Sequence, residues 1–303
     1  MRTINSAYDL SQGSAEQVIQ DIDEEDADLL FSKIEEVEDL LDDTSASPVI
    51  RLVNLMLSQA VRSNISDIHI EPQQSSVKIR QRLDGVLYDM FMPPKHVQSA
   101  LVSRIKLMAR MNIAEKRLPQ DGRIEIKVGN KDIDIRVSTL PTAFGERVVL
   151  RLLDKSTIRL SLTDLGMTPE RLALFERMIR SPNGILAQRL VRVICAECME
   201  EYRPSPEELA RIGVSEAQLP YGILKRGRGC GKCLDTGYRG RTGIHEFLVL
   251  DEKMKKMILQ TSDASQLRSQ ARRNGMKPLL QDGADKVIKG ITTVEEVYRV
   301  AQS

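Results

Sequence analysis

The spacing of apolar residues changes period several times along this chain, and each change predicts an element. Val49, Ile50, Leu52, Val53, Met56, Leu57, Ala60 and Val61 recur at helical intervals. Ser47-Pro48 opens that helix as cap and first-turn proline, and Asn64 closes it. From Ser66 the period is two: Ile68 and Ile70 alternate with Asp67, His69 and Glu71, and Val77, Ile79 and Gln81 continue the pattern. Leu83-Asp84-Gly85-Val86 carries the Asp-Gly turn of a hairpin. A helix over about 96–111, a second hairpin turning at Gly129-Asn130 and a strand over 146–153 complete an α+β domain spanning 46–158. Thr168-Pro169-Glu170 starts a further helix to about Arg180, and Ile185-Leu186 begins a strand that does not develop. Ser205-Pro206-Glu207-Glu208 opens a short helix, and from Met254 the periodicity is helical to the end.

Composition narrows the function. Lys+Arg total 44 against Asp+Glu 43, a net charge of +1, and aromatics are 4% without tryptophan, which argues against a nucleic-acid-coating protein. No apolar run is long enough to span a bilayer and no signal peptide opens the chain, so a cytoplasmic location is expected. Residues 1–45 are rich in acids, from Asp21 to Asp26 and through Glu35-Glu36 to Asp42-Asp43, and read as a solvated linker.

All four cysteines fall in two Cys-x-x-Cys pairs, Cys195/Cys198 and Cys230/Cys233. Two such pairs supply the tetrahedral thiolate shell that Zn²⁺ accepts, and with no open position the site is structural rather than catalytic. Four buried or redox-active thiols are the alternative, and His245 could compete as a ligand. The element is assigned to 195–245, its spacer of 199–229 being long enough to carry structure of its own. Arg117, Arg123, Arg136, Arg147 and Arg151 cluster near the turns of the first domain, as surface charge or as phosphate contacts. A P-loop, Gly-x-x-x-x-Gly-Lys-Ser/Thr, is not present: Gly231-Lys232 comes nearest, but Arg226 and Cys233 stand where glycine and a hydroxyl are required.

Several stretches resemble the type II secretion and type IV pilus assembly ATPases: Ser66-Asp67-Ile68-His69-Ile70-Glu71-Pro72, Arg82-Leu83-Asp84-Gly85, Arg117-Leu118-Pro119-Gln120-Asp121-Gly122-Arg123 and Arg136-Val137-Ser138-Thr139-Leu140-Pro141. Gly145-Glu146-Arg147-Val148-Val149, the cysteine pairs, Gly237 to Arg241, Asp282-Gly283, Gly290 and Glu295-Glu296-Val297 extend the match, and the tetracysteine spacing resembles the secretion branch. The resemblance implies a hexameric cytoplasmic motor, peripheral at the inner membrane and partnered by the secretion platform, that uses ATP and Mg²⁺. It implies ATP contacts for Arg117, Arg123, Arg136 and, in the Ala-Gln-Arg-Leu segment, Arg189. It also implies a remnant of a RecA-like ATPase domain over 159–194, a zinc element, and C-terminal helices over 246–303. In the family, Walker A, the acidic box, Walker B and a histidine box follow the strand begun at Gly184. Here Leu186 is joined directly to Ala187, so the expectation is a chain unable to hydrolyse ATP by the family mechanism, or a non-catalytic subunit joining hexamers of an intact homologue. Apolar faces on 168–180 and 254–289 are expected to be left uncovered by the lost strands.

Overall fold

The computed structural model describes residues 48–129, 131–154, 161–180, 184–261 and 263–301; the acidic stretch read as a linker lies outside them. The chain divides into two compact units, the second beginning at residue 159.

In the first unit, α1 (Pro48–Arg62) precedes β1 (Asp67–Pro72), β2 (Val77–Leu83) and β3 (Val86–Phe91). After α2 (Val97–Met108) come β4 (Gln120–Val128), β5 (Lys131–Thr142) and β6 (Gly145–Asp154). The strands form one antiparallel sheet in the order β3-β2-β1-β6-β5-β4. Asp84 and Gly85 both take positive φ, 49° and 88°, which is the turn that matches the twist of a two-residue hairpin. One sheet face carries Ile70, Ile79, Ile135, Val148 and Leu150, all buried, and the apolar stripes of α1 and α2 are buried as well, Leu52, Met56, Leu101 and Ile105 among them. Lys106 of α2 is buried too; its Nζ approaches Glu146 Oε1 at 2.5 Å and donates to the Glu115 carbonyl at 2.7 Å. The other face is polar and built in rows. Arg123, Arg136, Arg151, Asp67 and Arg82 lie opposite one another on successive strands. Asp67 takes Arg151 at 2.9 Å and Arg82 at 3.4 Å, while Glu71 takes Arg80 and Arg147, each at 2.8 Å.

The second unit contains α3 (Pro169–Arg180), β7 (Gly184–Ile194), β8 (Met199–Tyr202), α4 (Pro206–Arg211), β9 (Leu224–Gly227) and β10 (Tyr238–Val249). It ends in α5 (Glu252–Gln260), α6 (Ala264–Arg273), α7 (Leu279–Ile288) and α8 (Val294–Ala301). Here the structure corrects the sequence reading. The strand begun at Ile185-Leu186 does develop: β7 runs unbroken through Leu186-Ala187 and pairs with β10 from Gly184↔Val249 to Arg192↔Arg241. Phe247, Leu248 and Val249 lie opposite Leu186, Ile185 and Gly184, so the pairing partner arrives from more than fifty residues later in the chain.

Val191 and Ile244 of this two-stranded sheet share a core with Ala284, Val287, Val294 and Val297 of α7 and α8. That corrects the expectation for the helix over 279–288, which is buried because Gly283 lets Val297 approach: a side chain at Gly283 would stand 2.4 Å from Val297 Cγ1. On α3, by contrast, no residue is buried and Ile179 is 64% exposed, and α5 leaves Leu259 87% exposed. No described helix is long and apolar enough to cross a membrane.

Candidate metal centre

Each cysteine pair occupies a turn between strands of different sheets. Cys195 follows the last residue of β7 and Cys198 precedes β8, while Cys230 and Cys233 stand between β9 and β10, Cys233 closing a short 3-10 turn from Gly231. The spacer carries structure of its own: β8 and β9 pair antiparallel, Ser205 and Glu208 cap α4 reciprocally, and Leu209, Ile212, Leu219 and Leu224 extend the core of the unit. Glycines close the second turn on itself, and its Gly237 carbonyl reaches the first turn. A side chain at Gly227 would fall 1.9 Å from the Gly237 carbonyl oxygen, and Cys195 N–H donates to that same oxygen at 3.0 Å.

This convergence places the four Sγ atoms within 4.8 Å of one another. Cys195 to Cys230 is 4.0 Å, Cys198 to Cys233 3.9 Å and Cys230 to Cys233 3.7 Å. A covalent disulfide needs about 2.05 Å, so all four are free thiols. Thiolates at about 2.3 Å from a tetrahedral Zn²⁺ stand about 3.8 Å apart, close to the spacing of these three pairs. Backbone N–H groups face the sulfurs: Gly229 donates to Cys198 Sγ at 3.3 Å, Cys230 to Cys233 Sγ at 3.2 Å, and Gly237 to Cys233 Sγ at 3.3 Å. Burial pushes the Cys198 thiol up to about 12. At Cys230 burial also opposes ionisation, but backbone N–H groups of Cys233 and Lys232 prevail and lower it. The cluster is therefore compatible with a metal ion, and His245 takes no part in it.

His245 is instead fully buried beside α7. Its N–H donates to Asp282 Oδ2 at 2.9 Å, its carbonyl accepts from Arg171 Nη1 at 2.9 Å, and Arg171 pairs with Asp282 at 2.8 Å. A second network lies three residues from Cys195: Glu296 takes Arg192 at 2.6 Å and Arg299 at 2.8 Å, and Arg192 covers the Tyr238 ring at 4.1 Å. Residue spacing alone could not assemble these groups, although Asp282 and Glu296 belong to the stretches that carry the family resemblance.

The arginines singled out from the sequence are distributed over both units. Arg117 lies in the loop before β4, 88% exposed and paired with Glu115 at 3.0 Å. Arg123 and Arg136 face each other across β4 and β5, Arg123 being paired with Asp134 and Glu125. Arg189, on β7 in the second unit, is exposed and donates to the Gln188 carbonyl at 3.1 Å.

The type II/IV secretion system proteins match residues 42–186 and 181–299. The chain belongs to this family. Type II secretion system protein E of Pseudomonas aeruginosa is 33% identical over an alignment covering 99% of this chain and 85% of that protein. The type II secretion system protein HxcR of the same organism is 35% identical, with 98% and 87% covered. Type II secretion system ATPase E of Vibrio cholerae is 31% identical, with 99% and 85% covered. The family match thus comes in two pieces that meet at 181–186, where β7 begins.

Proposed function

We propose that this chain is a secretion ATPase-family protein that does not hydrolyse ATP and that holds a structural Zn²⁺ on Cys195, Cys198, Cys230 and Cys233. The observation that carries the first part is that Leu186 and Ala187 are successive residues of one strand, at the point where the family match divides. The alignment to the Pseudomonas protein E runs over 430 positions, and 430 less the 303 residues here leaves at least 127 positions without a counterpart. No Gly-x-x-x-x-Gly-Lys-Ser/Thr occurs anywhere in the sequence. Phosphoryl transfer rests almost wholly on positioned phosphate and metal contacts, so a chain without the phosphate loop and the Mg²⁺ carboxylates loses the reaction outright.

In this reading 46–158 precedes the motor core, 159–194 is what remains of a RecA-like domain, 195–245 is the zinc element and 246–303 the helical end. Arg117, Arg123, Arg136 and Arg189 keep the family's ATP-facing positions without a cradle to serve. The bound Zn²⁺ would cross-link the ends of β7, β8, β9 and β10, with every coordination position taken by thiolate. The location is cytoplasmic and peripheral at the inner membrane. The exposed faces of α3 and α5 favour a second reading, a non-catalytic subunit that joins hexamers of an intact homologue. Purified chain with ATP and Mg²⁺ is expected to release phosphate no faster than a protein-free control; metal-dependent turnover would overturn the first reading. Co-purification with an intact family member tests the second.

A further inference from the structure

Strand β7 has one satisfied edge and one bare one. Arg192 N–H points away from β10, donating to Glu296 Oε2 at 3.1 Å, and Ile194 N–H does the same toward the Ile291 carbonyl at 2.9 Å. By the alternation of an antiparallel ladder, the even-numbered residues of β7 therefore face outward along its length. The partners of Leu190 and Gln188 agree: Gly243 and His245 turn their N–H groups outward to the Leu165 carbonyl and to Asp282. The far edge of β10 is thus covered at these positions, and residues 291–296 cover β7 from Arg192 onward. Between Leu186 and Leu190 the N–H groups of the edge are open, and the Gln188 carbonyl accepts from the exposed Arg189 side chain next to it at 3.1 Å. Among the described residues, no hydrogen bond occupies the N–H groups of Leu186, Gln188 or Leu190, and Ile185 and Leu190 beside them are 56% and 41% exposed.

An open, partly apolar strand edge pairs with another strand. We propose that a second copy of this chain adds its own β7 here, antiparallel and two-fold symmetric about Gln188, making a four-stranded β10-β7-β7-β10 sheet. The edge is self-complementary in that register. Leu186 meets Leu190 of the second copy on one face, with Gln188 opposite Gln188 between the two leucine pairs. On the other face each Arg189 lies opposite an alanine, Ala187, so no like charges meet across the seam. Gly184 falls opposite Arg192, whose N–H and carbonyl are taken by Glu296 and Thr292, so the ladder ends at the two leucine pairs. A two-stranded sheet is marginal alone, and pairing doubles it. The inference concerns the strand edge and is independent of whether ATP is hydrolysed.

Sedimentation of the full chain is expected to show a monomer–dimer equilibrium at micromolar concentration. Under mild oxidation, Gln188→Cys is expected to give a covalent dimer whose peptide map joins position 188 of the two copies, since directly opposed residues lie about 5.5 Å apart at Cα. Leu190→Lys should weaken the dimer about tenfold or more. Adding Leu186→Glu to that variant should restore it, because glutamate then faces lysine across the seam; the rescue separates lost pairing from lost folding. A monomer at every concentration, a larger assembly or dimer indifferent to Leu190→Lys and without the 188–188 bond, or association with an intact homologue alone would overturn the proposal.

Discussion

At Glu296 three elements of the second unit meet: Arg192 comes from β7, Tyr238 stacks on that arginine from β10, and Arg299 follows on α8. Burial opposes its charge, yet hydrogen bonds from Arg299 and Arg192 hold its carboxyl down to about 2. Its contribution to stability is therefore full above the ordinary value of 4.5 and is lost as the pH falls toward 2. Glu296→Gln removes the Glu296 carboxylate from the largely buried Arg192 and is expected to destabilise the unit by about 3 kcal/mol in urea denaturation. His245 acts in the same direction at higher pH. Burial lowers it from 6.5, with Lys286 and Arg171 adding to the effect and Asp282 opposing it, so the folded state prefers the neutral ring. The unfolded chain binds that proton first, and stability should begin to fall as the pH drops below 6.5. A plot of the second unit's denaturation midpoint against pH is expected to show this step in the parent and not in His245→Asn; His69, which burial also lowers, belongs to the first unit. Neither role was legible from residue type: a lone histidine and one acid among 43 acquire meaning only from what surrounds them.

Strand β7 shows what an element needs besides its own sequence. Ile185-Leu186 looked too short because Ala187-Gln188-Arg189 interrupts the apolar run, and Arg239 to Gly243 on β10 has no alternation at all. Each strand is extended because the other supplies its hydrogen bonds. The ladder also sets an asymmetry that can be measured. Ala187 donates toward β10 and Gln188 away from it, so Ala187→Pro is expected to cost about 3 kcal/mol and Gln188→Pro clearly less. Equal losses in thermal melts would mean that the strand faces the other way. The helices divide similarly: α7 is buried where Gly283 admits Val297, whereas α3 meets the sheet through Phe175 against Phe247, 6.2 Å between ring centres, and through Arg171 on the His245 carbonyl, and leaves Ile179 in solvent.

The whole molecule consists of two units with separate cores, and all four thiols belong to the second. Removing metal with a strong chelator is expected to lower the melting midpoint of the second unit by more than ~10 °C while the six-stranded sheet of the first keeps its hydrogen-exchange protection. Loss of both units together, or of neither, would count against a structural ion. Much of the first unit was readable in the chain because its determinants are local: Asp84-Gly85 sets a hairpin turn by backbone sterics, and period-two alternation sets which face of each strand is apolar. The two Cys-x-x-Cys pairs were readable for the same reason, since short chelate turns are local chemistry. What tertiary structure alone decided is everything that depends on distant partners: Glu296 beneath Arg192, the buried contact of Lys106 with Glu146, and the continuation of a strand through Leu186-Ala187. Sequence carries the propensity of each segment. Which buried charge is neutralised, and which strand edge remains bare, is set by long-range hydrogen bonding and desolvation, which come into being only when the segments meet.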